Sequence, residues 1–188
     1  MWVLLSYLLG SLPFGLVVAG LHADVDPRED GSGNVGATNV LRTAGPTLGV
    51  IALVLDLLKG VLATSVGWML GGPELAALAG AAAVVGHCWS VFLAMRGGKG
   101  VATALGVLLV LTPGVALIGA LSWGVTFAVA RRSSLGALVS LPVVGFSSLW
   151  LYPEHLLLVG LVAGIVAIRH GANIRRLVSG TELDFRKE

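Results

Sequence analysis

The sequence predicts an all-α integral membrane protein, a seven-transmembrane helical bundle with the N-terminus outside and the C-terminus cytoplasmic, in which polar cytoplasmic loops form the site. Three observations predict it. Of 188 residues, 56% are hydrophobic and only 12% charged, with a mean hydropathy of +0.92; that is more apolar surface than a soluble domain of this size can bury. Apolar runs recur at about 2–20, 46–70, 74–94, 101–111, 113–130, 133–151 and 154–169, and most reach the roughly 17 to 25 residues that cross a bilayer. The positive charges then fall on one side. Arg28 and Arg42 follow the first run, Arg96 and Lys99 the third, Arg131 and Arg132 the fifth, and Arg169, Arg175, Arg176, Arg186 and Lys187 the seventh. The alternate turns, 71–74, 112–113 and 152–155, carry no Lys or Arg, and Lys59 alone is left over. By the positive-inside rule the charged side is cytoplasmic.

Each run has its own justification. The first, 2–20, carries Ser6, Ser11 and Pro13, which neighbours in a bundle can accommodate. It has no basic leader segment and reads as a retained helix rather than a cleaved signal peptide. The second holds Asp56 and Lys59, three apart, so they can neutralise each other at a depth where a lone charge is costly. A structural ion pair is the preferred reading. The third ends in Gly86, His87, Trp89 and Ser90, with Trp89 suited to the interface. The fourth, 101–111, is short and must start in the preceding glycine turn, tilt or be buried. Spans four to six have no acidic residue and no His, so an ion relay is poorly supported. Cys88 is the single cysteine, which excludes an internal disulfide. No metal cluster is expected, and no surface of the kind that binds nucleic acid.

Three polar stretches interrupt this apolar chain. Residues 31–45 read GSGNVGATNVLRTAG, where small and hydrogen-bonding residues alternate with Val35, Val40 and Leu41. This predicts a packed polar loop rather than a flexible linker. Residues 86–103 read GHCWSVFLAMRGGKGVAT. Arg96 and Lys99 flank Gly97 and Gly98, with Gly100 behind, so two cations and bare N–H groups are expected to converge on a phosphate. It is not a Walker A loop, since Gly100 follows Lys99 and Leu93 stands at the first glycine position. Residues 169–182 read RHGANIRRLVSGTE. There His170, Asn173 and Arg176 share a face if the helix continues, and Glu182 follows. Placed together at the cytoplasmic surface, these groups suit acyl or phosphoryl transfer between a soluble phosphate and a lipid.

In order and content, the three stretches resemble the signature motifs of the bacterial acyl-phosphate:glycerol-3-phosphate acyltransferases, the PlsY type, over essentially the whole chain. Met95 departs from the aromatic more usual there, with an effect expected on packing only. The resemblance implies a single acyltransferase domain, 1–188, spanning the cell membrane many times with its site facing the cytoplasm. It implies acyl transfer from acyl phosphate to the sn-1 hydroxyl of glycerol 3-phosphate, giving 1-acylglycerol 3-phosphate and phosphate, without cofactor or metal. It also implies functional coupling to an enzyme that forms acyl phosphate. No His is followed at the fifth position by Asp, so the HxxxxD mechanism of other glycerolipid acyltransferases does not transfer.

Because acyl phosphate is already activated, such an enzyme needs chiefly to gather two anions, orient the hydroxyl and stabilise developing charge. Arg42 and Lys99, with the amides of Gly97, Gly98 and Gly100, are expected to hold phosphate, Arg96 and Arg176 being second choices. Ser32 and Asn34 are expected to position substrate near the scissile carbonyl, with Thr38 and Asn39 beside them. His170, oriented by Asn173 or Glu182, is the candidate base; the alternative is a phosphate oxygen of the donor. Ser32 as a covalent nucleophile lacks an adjacent base in the spacing. Two other functions fit in part. A transporter or binding protein for a phosphorylated solute would need an inverted repeat or a path of ionisable groups. A CDP-alcohol phosphotransferase would need an Asp cluster that Asp24, Asp26 and Asp30 only loosely imitate.

Overall fold

The computed structural model describes residues 1–185 and is helical, with no strand among the described residues. Arg186 and Lys187, counted above with the cytoplasmic cations, lie outside them. The chain divides into two compact units, Met1–Val107 and the residues from Leu108 onward. Four helical stretches are long and apolar enough to cross a membrane: Trp2–Ala23, Pro46–Leu93, Pro113–Ala130 and Ser133–Leu151. The pair Pro153–Arg169 and Gly171–Val178, bent by 58°, makes a fifth if the two are counted as one span.

In the first unit, the run expected as one span is two helices, α1 (Trp2–Ser11) and α2 (Phe14–Ala23). Proline causes the break: Pro13 has no N–H to give and disfavours helical geometry at Leu12, which takes ψ 120°. Helix α3 (Ala37–Ala44) lies inside the stretch expected to be a loop. Its Val40 packs with Ala19 of α2 and Ala52 of the next helix in a small buried cluster. Helix α4 (Pro46–Cys88) is interrupted at Gly71 and Gly72, whose φ of 73° at Gly72 suits glycine and few other residues. Pro73 then opens the second arm, 73–88. The arms run back along each other. A Cβ at Gly67 would lie 3.0 Å from Ala76 Cα, and one at Gly80 would lie 2.7 Å from Thr64 Oγ1. Helix α1 lies against both arms: Trp2 Nε1 donates to the Ala63 carbonyl at 2.9 Å, and any Cβ at Gly86 would run into the Tyr7 carbonyl.

Helix α5 (Val101–Leu111) leaves the first unit. The second contains α6 (Pro113–Ala130), α7 (Ser133–Leu151), α8 (Leu156–Arg169) and α9 (Gly171–Val178). Helices α6 and α7 are joined through Arg131 at φ 55°, and Trp123 Nε1 donates to the Ser133 carbonyl at 3.2 Å. The chain after α9 returns to this turn: Phe185 N–H donates to the Arg131 carbonyl at 3.1 Å, and the Phe185 ring meets Phe127 edge-on at 5.4 Å. Helices α8 and α9 meet at 58°, so the straight continuation that would align His170 with Asn173 and Arg176 is replaced by a corner at His170.

Candidate active site

The first polar stretch is organised by Asn39. Its amide is buried, donates to the carbonyls of Pro27 at 2.7 Å and Asp30 at 3.0 Å, and accepts from Ser32 N–H at 2.7 Å. Expected among the substrate contacts, Asn39 instead commits its donors and acceptor to folding the loop, because the irregular backbone of 27–32 leaves polar groups that need partners. Gly31, at φ 61°, lies directly against this amide. Asn34 Oδ1 accepts from Gly36 N–H at 2.9 Å, just ahead of α3. Thr38 and Arg42 sit one turn apart on α3, a spacing that puts them on a common face. Ser32, Asn34, Thr38 and Arg42 are all partly exposed. Upstream, Asp26 is engaged by Arg28 at 2.6 Å, which holds its carboxyl below the ordinary carboxylate range.

The second stretch departs from expectation at its glycines. Gly97 N–H donates to the Cys88 carbonyl at 3.2 Å and Gly98 N–H to the His87 carbonyl at 2.9 Å. These amides do not form a phosphate cradle. They satisfy carbonyls that the end of α4 leaves without helical partners. Glycine is required because a Cβ on Gly97 would overlap the His87 carbonyl and one on Gly98 the His87 ring. Gly100, at φ 85°, turns the chain into α5. What the turn presents is its cations: Arg96 is exposed and Lys99 partly so. Met95 sits at φ 67°, its sulfur 3.7 Å from the Tyr7 hydroxyl.

Beneath this turn, Asp56 and Lys59 pair at 2.9 Å, and His87 Nδ1 lies 3.5 Å from the same Asp56 oxygen. The ion pair expected from their spacing therefore has a third member.

The third stretch lies in the second unit. His170 is buried, and its Nδ1 is 2.8 Å from the Val166 carbonyl. A carbonyl only accepts, so Nδ1 carries a proton, and in the neutral form of the ring the lone pair lies on Nε2. This corrects the expectation that Asn173 or Glu182 orients the ring, which is instead held from its own helix at the α8–α9 corner. Glu182 serves other partners: Oε1 accepts from Asn173 Nδ2 at 2.6 Å and Ser134 Oγ at 2.7 Å, and Oε2 accepts from Arg176 Nε at 2.9 Å. Burial raises the Glu182 pKa, but these hydrogen bonds and the guanidinium outweigh it and hold the carboxyl below its ordinary 4.5. Asn173 Oδ1 is buried without a hydrogen-bond partner among the described residues, an acceptor that a hydroxyl donor would satisfy.

The described residues contain no group of three or more His, Cys, Asp or Glu placed to hold a metal ion. The chain matches a family model described as glycerol-3-phosphate acyltransferase over residues 1–180. It is 44% identical to the glycerol-3-phosphate acyltransferase of Trichlorobacter lovleyi, covering 98% of this chain and 96% of that one. It is also 44% identical to that of Pseudomonas aeruginosa, covering 98% and 99%. Among solved structures it is similar to PlsY, an integral membrane glycerol 3-phosphate acyltransferase, in its glycerol 3-phosphate form. That match has a TM-score of 0.92 and 38% identity and covers 98% of this chain and 94% of that one. A lysophosphatidic acid form of PlsY matches with a TM-score of 0.89 and 37% identity, covering 98% and 93%.

Proposed function

The chain belongs to the glycerol-3-phosphate acyltransferase family, and from that premise we propose that it transfers a fatty acyl group from acyl phosphate to the sn-1 hydroxyl of glycerol 3-phosphate. The observation that carries the acceptor and product is the pair of PlsY forms, one with glycerol 3-phosphate and one with lysophosphatidic acid. The two are acceptor and acylated product of one reaction. Acyl phosphate as donor is supported by the three motifs, by the missing HxxxxD pattern, and by a polar set rich in cations.

In the proposed step the acceptor hydroxyl oxygen attacks the acyl carbonyl carbon, the bond from that carbon to the phosphate oxygen breaks, and inorganic phosphate leaves. His170 Nε2 takes the hydroxyl proton, a role supported by the Nδ1 contact to the Val166 carbonyl. Arg42 and Lys99 bind the phosphate groups, with Arg96 and Arg176 as further cations. The Gly97 and Gly98 amides have no part in that binding. Ser32, Asn34 and Thr38 position the substrates, Asn39 acts through the loop it folds, and Asn173 offers Oδ1 to a substrate hydroxyl.

The polar stretches all lie on the cytoplasmic side of a single domain in the cell membrane, crossed seven times. At 1.5 Å per residue, the 43 residues of α4 would extend about 65 Å as one rod, twice the roughly 30 Å of hydrocarbon. The break at Gly71 and Gly72 supports counting it twice. Val101–Leu111 is counted as a short crossing, and an enzyme that forms acyl phosphate supplies the donor.

Purified protein in lipid or detergent, given palmitoyl phosphate and glycerol 3-phosphate with chelator present, is expected to release phosphate and lysophosphatidic acid in equal amounts. Palmitoyl-CoA is expected to be inert. Turnover with palmitoyl-CoA alone would overturn the donor assignment. No turnover with either donor in a folded sample would turn attention to uptake of a phosphorylated solute.

A further inference from the structure

Asp56, Lys59 and His87 have no part in the step just described, yet they are almost wholly buried, at 2%, 2% and 7% exposure. A buried ionic cluster is a poor source of stability, since apolar side chains of similar volume often serve as well. Its connections suggest what it does instead. Lys59 Nζ, besides pairing with Asp56, donates to the Leu12 carbonyl at 3.1 Å, at the point where Pro13 breaks the first span. Ser90 Oγ caps the neighbouring Ser11 carbonyl at 2.6 Å. Lys59 of the cluster, with Ser90 beside it, thus holds carbonyls that the α1 break leaves without helical partners.

On its other side the cluster grips the cationic turn. His87 receives the Gly98 N–H on its carbonyl at 2.9 Å, and Gly98 lies so close to His87 Nε2 that no Cβ would fit. Beyond the turn, Thr103 Oγ1 in the first turn of α5 donates to the Asp56 carbonyl at 2.9 Å. Lys99 therefore lies between Gly98, tied to His87, and Thr103, tied to Asp56. Val35 of the first polar loop lines the same small cavity as Leu12, Asp56, Lys59 and His87, so both loops rest on this cluster.

We propose that His87, held by Asp56 and Lys59, is a positioning residue that sets where Lys99 meets a substrate phosphate. The proposal rests on the acyl-transfer reading. His87→Asn keeps a donor where Nδ1 faces Asp56 and withdraws the ring edge from Gly98, whereas His87→Gln restores an amide near the Nε2 position. KM and kcat for palmitoyl phosphate and glycerol 3-phosphate would be measured beside thermal midpoints, with Lys99→Ala as the reference that identifies the substrate held there. His87→Asn is expected to raise the KM of that same substrate about tenfold and to leave kcat within about twofold, since small displacements of binding groups carry costs of this order. The thermal midpoint should stay near wild type, and His87→Gln should recover most of the KM. The paired change Asp56→Asn with Lys59→Met removes both buried charges together and is expected to shift the same KM in a folded protein. Folded variants with wild-type KM would overturn the proposal, as would an equal effect on both substrates. Failure of both the His87→Asn and the paired variant to fold would also overturn it, leaving the cluster a structural element alone. No wild-type turnover with acyl phosphate would overturn the acyl-transfer reading itself, and the positioning role with it.

Discussion

His170 brings the proposed proton transfer down to one nitrogen. With Nδ1–H spent on the Val166 carbonyl, Nε2 is the basic position, and Ala at 170 removes it. His170→Ala is expected to lower kcat about 100-fold or more while changing the KM values little, the pattern for a group acting only in the transition state. Steady-state kinetics with both substrates varied would check it. Retention of most of the turnover would instead assign the proton to a phosphate oxygen of the donor. In the sequence, His170 stands out as a candidate base because it is an imidazole beside cations and an amide on a polar helix end. The orienting carbonyl does not, since it depends on the chain bending at that residue. The same limit explains Gly97 and Gly98: a glycine pair between cations reads as an anion cradle until the end of α4 is known, and its carbonyls then claim the amides. Asn39 was expected among the substrate contacts, but at 2% exposure it is the pin of the loop.

At the scale of the element, one carboxylate gathers several of the bonds that hold the chain after α9. Glu182 joins the first turn of α7, through Ser134, to Asn173 and Arg176 of α9. Glu182→Gln would turn one accepting oxygen into an N–H facing Asn173, Ser134 or Arg176, each already a donor. The expected loss is about 2 kcal/mol, the scale of a hydrogen bond to a charged group, read as a lower thermal midpoint at pH 7. Because folding depresses the Glu182 pKa below 4.5, the ionised carboxylate's contribution is fully present above that value and is lost as pH falls through the depressed one. The gap between wild type and Glu182→Gln should therefore close on acidification below 4.5. A gap that persists unchanged would mean the carboxylate charge is not what holds the tail. Other elements varied in legibility for identifiable reasons. Gly71–Gly72–Pro73 announced the break in α4, since the triplet combines an open backbone with a helix start. Pro13 was legible as a residue but not as a break, because proline is tolerated in membrane helices. Helix α3, only eight residues long, was hidden by the glycines around it.

The whole molecule poses the question of which loops share a side. Lys59 was the one cation that fitted no cytoplasmic loop, and its burial against Asp56 removes it from the charges that set orientation, because a paired internal cation is not a loop charge. The remaining pattern predicts that Glu74, between the arms of α4, and Glu154, between α7 and α8, lie outside, whereas Arg96 and Ser179 lie in the cytoplasm. All four are exposed, and the buried Cys88 can be replaced by Ala to give a background without cysteine. Glu74→Cys and Glu154→Cys should react with a membrane-impermeant maleimide in intact cells, and Arg96→Cys and Ser179→Cys only after the membrane is opened. The reverse pattern would invert the orientation and place the proposed site on the side away from cytoplasmic glycerol 3-phosphate. Labelling of Glu154→Cys and Ser179→Cys from the same side would show that the bent pair α8–α9 does not cross, and labelling of Glu74→Cys from the cytoplasmic side would show that the two arms of α4 do not cross. Either result would break the count of seven, because the shared cytoplasmic placement of the three polar stretches needs an even number of crossings between them: two from the first stretch to the second, four from the second to the third.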